Sequence, residues 1–180
     1  MKNKIYLILN NIRSAYNVGS IFRTADAVGV AKIYLCGITP IPYDQKHEAK
    51  IMNHGAGDKI SKTALGAEKT VAWEYHKQVW RCLLEIKNQK SPSEADWPRA
   101  EKIKIIGLEQ AKSSKNIFEL GALDISPLAL VVGNEVRGLS PQILKYCDEV
   151  VHIPMYGKKE SLNVAVATGI ALYEITNKNS

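Results

Sequence analysis

The chain has 180 residues, 46% of them hydrophobic and 23% charged, with 24 Lys and Arg against 18 Asp and Glu and a net charge of +6. At roughly 150 residues per domain this is one domain, able to bury about 70% of its unfolded surface without a disulfide or metal staple. The 12 Gly and 7 Pro are too few for a disordered chain,, and no apolar run approaches the ~20 residues of a membrane span.

The N-terminus is basic and then apolar over residues 5–9. That is shorter than the roughly 7–15 apolar residues of a secretory leader, and no small-residue cleavage site follows, so a cytoplasmic location is expected. Cys36, Cys82 and Cys147 are odd in number and widely spaced, which reads as buried, reduced thiols,. His47, His54, His76 and His152 form no HExxH or HxH set, so no metal is expected. The basic excess permits an anionic partner without requiring one.

Residues 4–10 read as a buried strand, a short β-rich apolar run, followed by a polar loop over 11–16. Asn17 is placed as the cap of a helix over 18–28, with Val18, Ile21, Phe22, Ala25 and Val28 on its apolar face and Gly29 as its stop,. Residues 32–36 form a second strand, so the chain opens as a parallel strand–helix–strand unit. A long polar loop with a GAG turn at 55–57 is expected over 39–58, and then a short strand at 70–73. A helix is expected over 74–87, with Val79, Cys82, Leu83 and Ile86 on one face. Residues 88–102 read as an exposed connection. Strands at 104–109, 128–133 and 150–153, and helices at 141–147 and 161–176, complete an α/β fold with a mostly parallel sheet. The last helix has almost no polar face before Glu174. A helix apolar all round is buried on all sides, and at the C-terminus of a small protein that points to a subunit interface.

No GxGxxG or GxxxxGK[ST] pattern follows the first strand. The first strand–helix junction instead concentrates Asn11, Arg13, Asn17 and Arg23, where ligands of parallel sheets bind, beyond the carboxyl ends of the strands. Arg23 lies off the apolar face, near the first turn of the predicted helix. A second cluster, GNEVRGLS at 133–140, follows a buried strand and carries Glu135 between two glycines. The third, at 152–167, has Ser161 as the expected cap of the last helix and Asn163 in its first turn, where a polar amide needs a partner,. Each cluster alone reads equally well as a capped turn with solvated polar residues. All three fall at the ends of predicted strands.

The segments NIRSAYNVGSIFRTADAVGV, LALVVGNEVRGLS and IPMYGKKESLNVAVATGIALYE resemble the three ordered motifs of the SpoU (TrmH) family, the RNA ribose 2′-O-methyltransferases of the SPOUT superfamily. The resemblance covers nearly the whole chain. It implies an α/β sheet whose C-terminal segment threads a loop into a deep trefoil knot, a feature almost absent from other proteins. It also implies a single methyltransferase domain over residues 1–180, with no N-terminal RNA-binding extension before the first motif, and a cytoplasmic homodimer. The cofactor would be S-adenosyl-L-methionine, bent against the backbone around Leu108, Gly133, Ile153 and Leu162. By motif position the functional side chains would be Arg23, Asn17, Glu135, Ser161 and Asn163. Arg13, Tyr16, Lys158 and Lys159, polar residues in the same segments, are candidate RNA contacts. The substrate would be RNA, tRNA in preference to rRNA. The alternative is a non-catalytic RNA-binding protein of the same fold.

In-line methyl transfer asks chiefly for alignment, which can supply roughly 7–11 kcal/mol. The ribose hydroxyl must also lose its proton, or its developing oxyanion must be stabilised. The resemblance assigns this step to Arg23, although a guanidinium is a poor base at neutral pH. Arg23 is therefore either deprotonated by an unusual site or a charged clamp on phosphate and oxyanion. Asn17 and Asn163 would orient Arg23 or the ribose, and Glu135 would balance Arg23 or fix its loop.

Overall fold

The computed structural model describes residues 4–43, 56–88, 102–120 and 127–178. Most of the connection expected at 88–102, and residues 44–55 with His47 and His54, lie outside them. The opening unit follows from the apolar pattern. Strand β1 (Ile5–Asn10) and strand β2 (Lys32–Cys36) pair in parallel, Tyr6 opposite Lys32 and Asn10 opposite Cys36, with helix α1 (Ala15–Val28) between them in sequence. Gly29, at φ 75°, ends α1 in the left-handed conformation as expected,.

The start of α1 differs from the sequence reading. Ser14 is its cap, its hydroxyl accepting from the Asn17 amide at 3.3 Å. Both residues are good caps, and the helix begins at the earlier one. Arg23 consequently sits about two turns into the helix rather than near its first turn,.

The loop expected to run to residue 58 gives way at 56 to helix α2 (Ala56–Ala64), which takes in the last two residues of the expected GAG turn and is followed by the single turn α3 (Ala67–Thr70). The strand expected at 70–73 is β3, at Trp73–His76, and the following helix, α4, is confined to Val79–Asn88. Beyond it come β4 (Lys104–Leu108), the two-residue β5 (Lys115–Asn116) with a 3₁₀ turn at Ile117–Glu119, and β6 (Leu128–Val132). The chain ends with α5 (Pro141–Leu144), β7 (Glu149–His152) and α6 (Val164–Lys178). Ser161 therefore does not cap the last helix. Asn163 does, its side-chain oxygen accepting from the amides of Ala165 at 2.9 Å and Val166 at 3.4 Å.

The seven strands form one sheet in the order β3-β2-β1-β6-β4-β7-β5, and every strand pairing is parallel. Alternation within each strand divides the core between two faces. Leu7, Leu9, Leu35, Leu130 and Val132 pack toward α1, α2 and α6,. Tyr6, Ile8, Tyr34, Ala129 and Val131 pack toward α4 and α5. The chain runs outward from β1 through β2 to β3, then returns to place β6 against the other side of β1. The carboxyl ends of β1, β6, β4 and β7 thus meet around a switch point, where parallel sheets bind ligands.

Among the described residues no helix is long and apolar enough to cross a membrane, and no group of three His, Cys, Asp or Glu side chains is arranged to hold a metal. The cysteines are free, Cys36 and Cys82 buried and Cys147 half-buried.

Candidate active site

Beyond the end of β6 the chain makes a tight loop from Gly133 to Leu139, closed by an antiparallel bridge between Asn134 and Gly138. Two glycines make the loop possible. A Cβ on Gly133 would lie 2.4 Å from the Gly138 carbonyl carbon, and Gly138 itself has φ +61°,. The Asn134 amide ties the loop to β1, donating to the Asn11 carbonyl at 2.8 Å while its oxygen accepts from the amides of Val136 and Arg137, each at 3.0 Å.

Glu135 then projects from the loop onto the start of α1. Its carboxylate accepts from the backbone amides of Arg13 at 2.9 Å and Ser14 at 3.0 Å, and from the Asn17 side chain at 3.0 Å. Partial burial pushes the carboxyl pKa up, but those amides outweigh it and hold Glu135 below its ordinary value,. An anion belongs at that position, where the helix exposes unpaired N–H groups.

The Asn17 oxygen in turn accepts from the Asn163 amide at 3.1 Å. The direction of this chain is determined at both ends. An ionised carboxylate only accepts and the first amides of a helix only donate, so neither asparagine amide can be reversed without setting donor against donor. Glu135, Asn17 and Asn163, each from a different motif, are thus one oriented relay from the start of α1 to the start of α6.

Beside the relay lies a cavity of about 340 Å³. All four residues expected against the cofactor, Leu108, Gly133, Ile153 and Leu162, line it, together with Glu135 and Ser161. Apolar walls from Val132, Val164 and Ala167 alternate with polar groups from Glu109, Gln110, Asn134 and Glu160. Asn17 and Asn163 stand outside it, at one end of a surface groove between α1 and α6 that also includes Ser20, Thr24, Val166, Gly169, Ile170 and Tyr173.

Arg23 is exposed, lines neither hollow, and its side chain makes no hydrogen bond or ion pair with a described residue. The structure does not bring it to Glu135, Asn17 or Asn163. Arg13 and Tyr16 are exposed at the start of α1, and Lys158 and Lys159 are exposed in the loop that leads to Ser161. The sequence reading missed Ser14, Asn134, Glu109 and Gln110. Only Ser14 and Asn134 carried a local signal, the first as a cap-type residue before an apolar period and the second by its place inside a quoted motif.

The model of the SpoU rRNA methylase family matches residues 4–173. A tRNA (guanosine(18)-2′-O)-methyltransferase of Aquifex aeolicus is 33% identical over 94% of this chain and 67% of its own length. The 23S rRNA (guanosine-2′-O-)-methyltransferase RlmB of Haemophilus influenzae is 29% identical over 98% of this chain and 61% of its own. The chain thus spans about three fifths to two thirds of these relatives. The SpoU methyltransferase AviRb of Streptomyces viridochromogenes, solved in complex with AdoMet, shares the fold with a TM-score of 0.77 and 23% identity, covering 99% of this chain and 61% of that one.

Proposed function

The chain belongs to the SpoU rRNA methylase family, and on that membership and the geometry above we propose that it transfers a methyl group from S-adenosylmethionine to a ribose 2′-hydroxyl of RNA. The observation that carries the reading is the relay of Glu135, Asn17 and Asn163 beside a cavity lined by every expected cofactor residue.

The cavity suits the cofactor. Its volume of about 340 Å³ lies in the range of small-molecule sites,. Gly133 lines the cavity with no side chain, and the missing Cβ is what lets the loop return so closely. Apolar walls for a heterocycle sit next to the carboxylates of Glu109, Glu135 and Glu160, which suit a cationic ligand. When bound, the cofactor would supply an electrophilic methyl on its sulfonium and leave as a neutral thioether, with the ribose hydroxyl proton passing to solvent or to a phosphate of the substrate.

The chain's own residues align and exclude. Leu108, Gly133, Ile153 and Leu162 would hold the donor, and Ser161 faces the same space. Glu135, Asn17 and Asn163 have their polar atoms committed to one another and to helix ends, so they hold the junction of α1 and α6 in one arrangement. The Arg23 side chain makes no hydrogen bond or ion pair with a described residue that could take its proton, which favours the clamp on phosphate and oxyanion over the base. Arg13, Tyr16, Lys158 and Lys159 are the RNA contacts.

The working unit we infer is a homodimer in the cytoplasm. The face of α6 away from the core carries Val166 at 52% exposure and Tyr173 at 55%, both of them in the groove between α1 and α6. Arg23 meets no site residue of its own chain, so a second copy on this face fits an otherwise incomplete site. Sedimentation of wild type and Tyr173→Glu tests it: a dimer and a monomer are expected, and a monomeric wild type overturns it. Residues 1–180 act as one methyltransferase domain, and the C-terminal segment forms the trefoil knot. An experimental structure with an unthreaded C-terminal segment would overturn the knot.

The RNA is tRNA in preference to rRNA, since of the two relatives the more similar is named for tRNA. The test is transfer of labelled methyl to purified tRNA and rRNA, with the product mapped by mass spectrometry. A 2′-O-methyl nucleotide in tRNA is expected. RNA binding without cofactor binding would identify a non-catalytic RNA-binding protein instead.

A further inference from the structure

Glu109 belongs to none of the three motifs. It follows the last residue of β4 and lines the cavity. One carboxylate oxygen accepts from the Leu139 amide at 2.5 Å, and the other accepts from the Gln110 amide at 3.0 Å. Gly138 lies directly against it, for a Cβ there would come within 2.1 Å of the same oxygen that meets Leu139. The carboxylate is therefore a seat on which the returning half of the 133–139 loop rests, and the glycine is what lets the backbone reach it.

The next residue performs the complementary task. The Gln110 side-chain amide donates to the Ile153 carbonyl at 2.7 Å, on the segment that follows β7. Gly133 and Gly138 form one wall of the cavity and Ile153 another. Two consecutive side chains at the end of β4 thus fasten both walls, Glu109 to the first and Gln110 to the second. Glu135 leaves the same loop three residues before Gly138 to hold the start of α1. Two carboxylates thus fix one short loop, Glu109 by seating its return and Glu135 by tying the loop to α1.

We propose that Glu109 is a positioning residue for methyl transfer: it seats the 133–139 loop, and through that loop sets both the width of the cofactor cavity and the placement of Glu135. This rests on the methyltransferase reading. A carboxylate is required because both partners are N–H donors, and two oxygens on one group satisfy both. A glutamine in its place accepts from one and turns an NH₂ toward the other. An alanine leaves the Leu139 amide without its partner in a partly enclosed site.

The experiment measures S-adenosylmethionine affinity by calorimetry, and kcat and KM for RNA, in wild type, Glu109→Gln, Glu109→Ala, Glu135→Gln and the double variant Glu109→Gln/Glu135→Gln. All measurements are made well below each protein's melting temperature. A tenfold or larger loss of cofactor affinity is expected in Glu109→Ala, with a smaller loss in Glu109→Gln and KM for RNA within twofold of wild type in both. The fall in kcat of the double variant should be clearly smaller than the product of the two single falls, because both act through one loop. Where Glu109→Ala melts too low to assay, the Glu109→Gln and double-variant comparison decides. Cofactor affinity within twofold of wild type in Glu109→Gln, or falls in kcat that multiply, overturns the proposal, since a residue that merely supported the fold would move neither. A wild-type protein that binds no S-adenosylmethionine fails at the methyltransferase reading, a result distinct from a wild type that binds it and a variant that binds it equally well.

Discussion

Replacing Glu135 by glutamine keeps the size of the side chain and removes one acceptor. In the structure one carboxylate oxygen meets the Arg13 amide, and the other meets both the Ser14 amide and the Asn17 side chain. The best glutamine rotamer places its carbonyl oxygen on the shared side and turns its NH₂ toward the Arg13 N–H, donor against donor. A hydrogen bond to a charged acceptor contributes about 1.5–3 kcal/mol, and an anion near a helix N-terminus about 0.3–1 kcal/mol more. Arg13 is exposed, so water recovers part of its bond. The lower end applies, a loss of about 2 kcal/mol. For a chain of this size that lowers Tm by about 4–8 °C. Urea melts at neutral pH should show a lower midpoint with an unchanged slope, because the exposed surface is the same. Single-turnover methyl transfer should slow about tenfold, the equivalent of roughly 1.4 kcal/mol of lost alignment. A stability within 0.5 kcal/mol of wild type (about the noise of a surface change) together with an unchanged rate would refute the assignment of Glu135 as anchor of the relay.

Asn163 both caps α6 and bonds to Asn17, and substitutions separate the two roles. Asn163→Ser keeps a good cap and should hold stability within about 0.5 kcal/mol, whereas Asn163→Ala should lose about 1 kcal/mol; both should lose activity, since neither reaches Asn17. Ser161→Ala should leave the urea midpoint unchanged, and a loss the size of a cap would contradict the observed helix start. Acid should destabilise the fold through Glu135, Glu149 and Glu74. Burial raises Glu149 but Lys104 and Lys115 pull it below its ordinary value, and a bond from Lys32 lowers Glu74. Depressed folded pKa values stabilise above the ordinary carboxylate pKa of about 4.3. That contribution is lost as pH falls through the folded values, so urea midpoints should be level from about pH 5 to 7 and fall below, with a shallower fall in Glu135→Gln. Burial pushes the Cys147 thiol up to about 11, so the native protein at pH 8 should react slowly with a disulfide reagent and release the equivalent of all 3 cysteines only on unfolding; rapid native reaction at Cys147 would count against its burial.

The central strands were legible because a parallel strand covered on both faces is a continuous apolar run. β1, β2, β4 and β6 fall within a residue of the pattern for that reason. Helix α2 was not legible: only Ile60 and Ala64 of its nine residues are buried, and Gly57 reads as a turn residue although it sits inside the helix, close against Tyr43. β3 is an edge strand whose Trp-Glu-Tyr-His sequence carries no buried alternation, so it merged with the helix that follows,. At the site, resemblance named Glu135, Asn17 and Asn163, but nothing local revealed that they bond to one another across 118 and 146 residues of chain. Glu109 was invisible for the same reason, as its partner Leu139 lies 30 residues away.

The site residues divide by how much of their bonding capacity remains. Glu135, Asn17 and Asn163 are committed to amides and to one another, so they cannot each also supply a full set of bonds to a reacting ribose. Arg23, Arg13, Tyr16, Lys158 and Lys159 face solvent and keep their capacity for substrate. Removal of a committed residue should therefore lower stability and rate together, whereas removal of an exposed one should lower rate alone. Arg23 is the sharpest case. With no described partner to lose, Arg23→Ala should stay within about 0.5 kcal/mol of wild-type stability and bind cofactor unchanged, yet lose a hundredfold or more in methyl transfer, the order expected when one stabilising group for a developing oxyanion is removed. Arg23→Lys should recover little of that rate, because an ammonium lacks the planar fork that grips phosphate and oxygen at once. A variant that loses stability in proportion to its rate would show that Arg23 serves the fold, and full activity in Arg23→Lys would show that a point charge is enough.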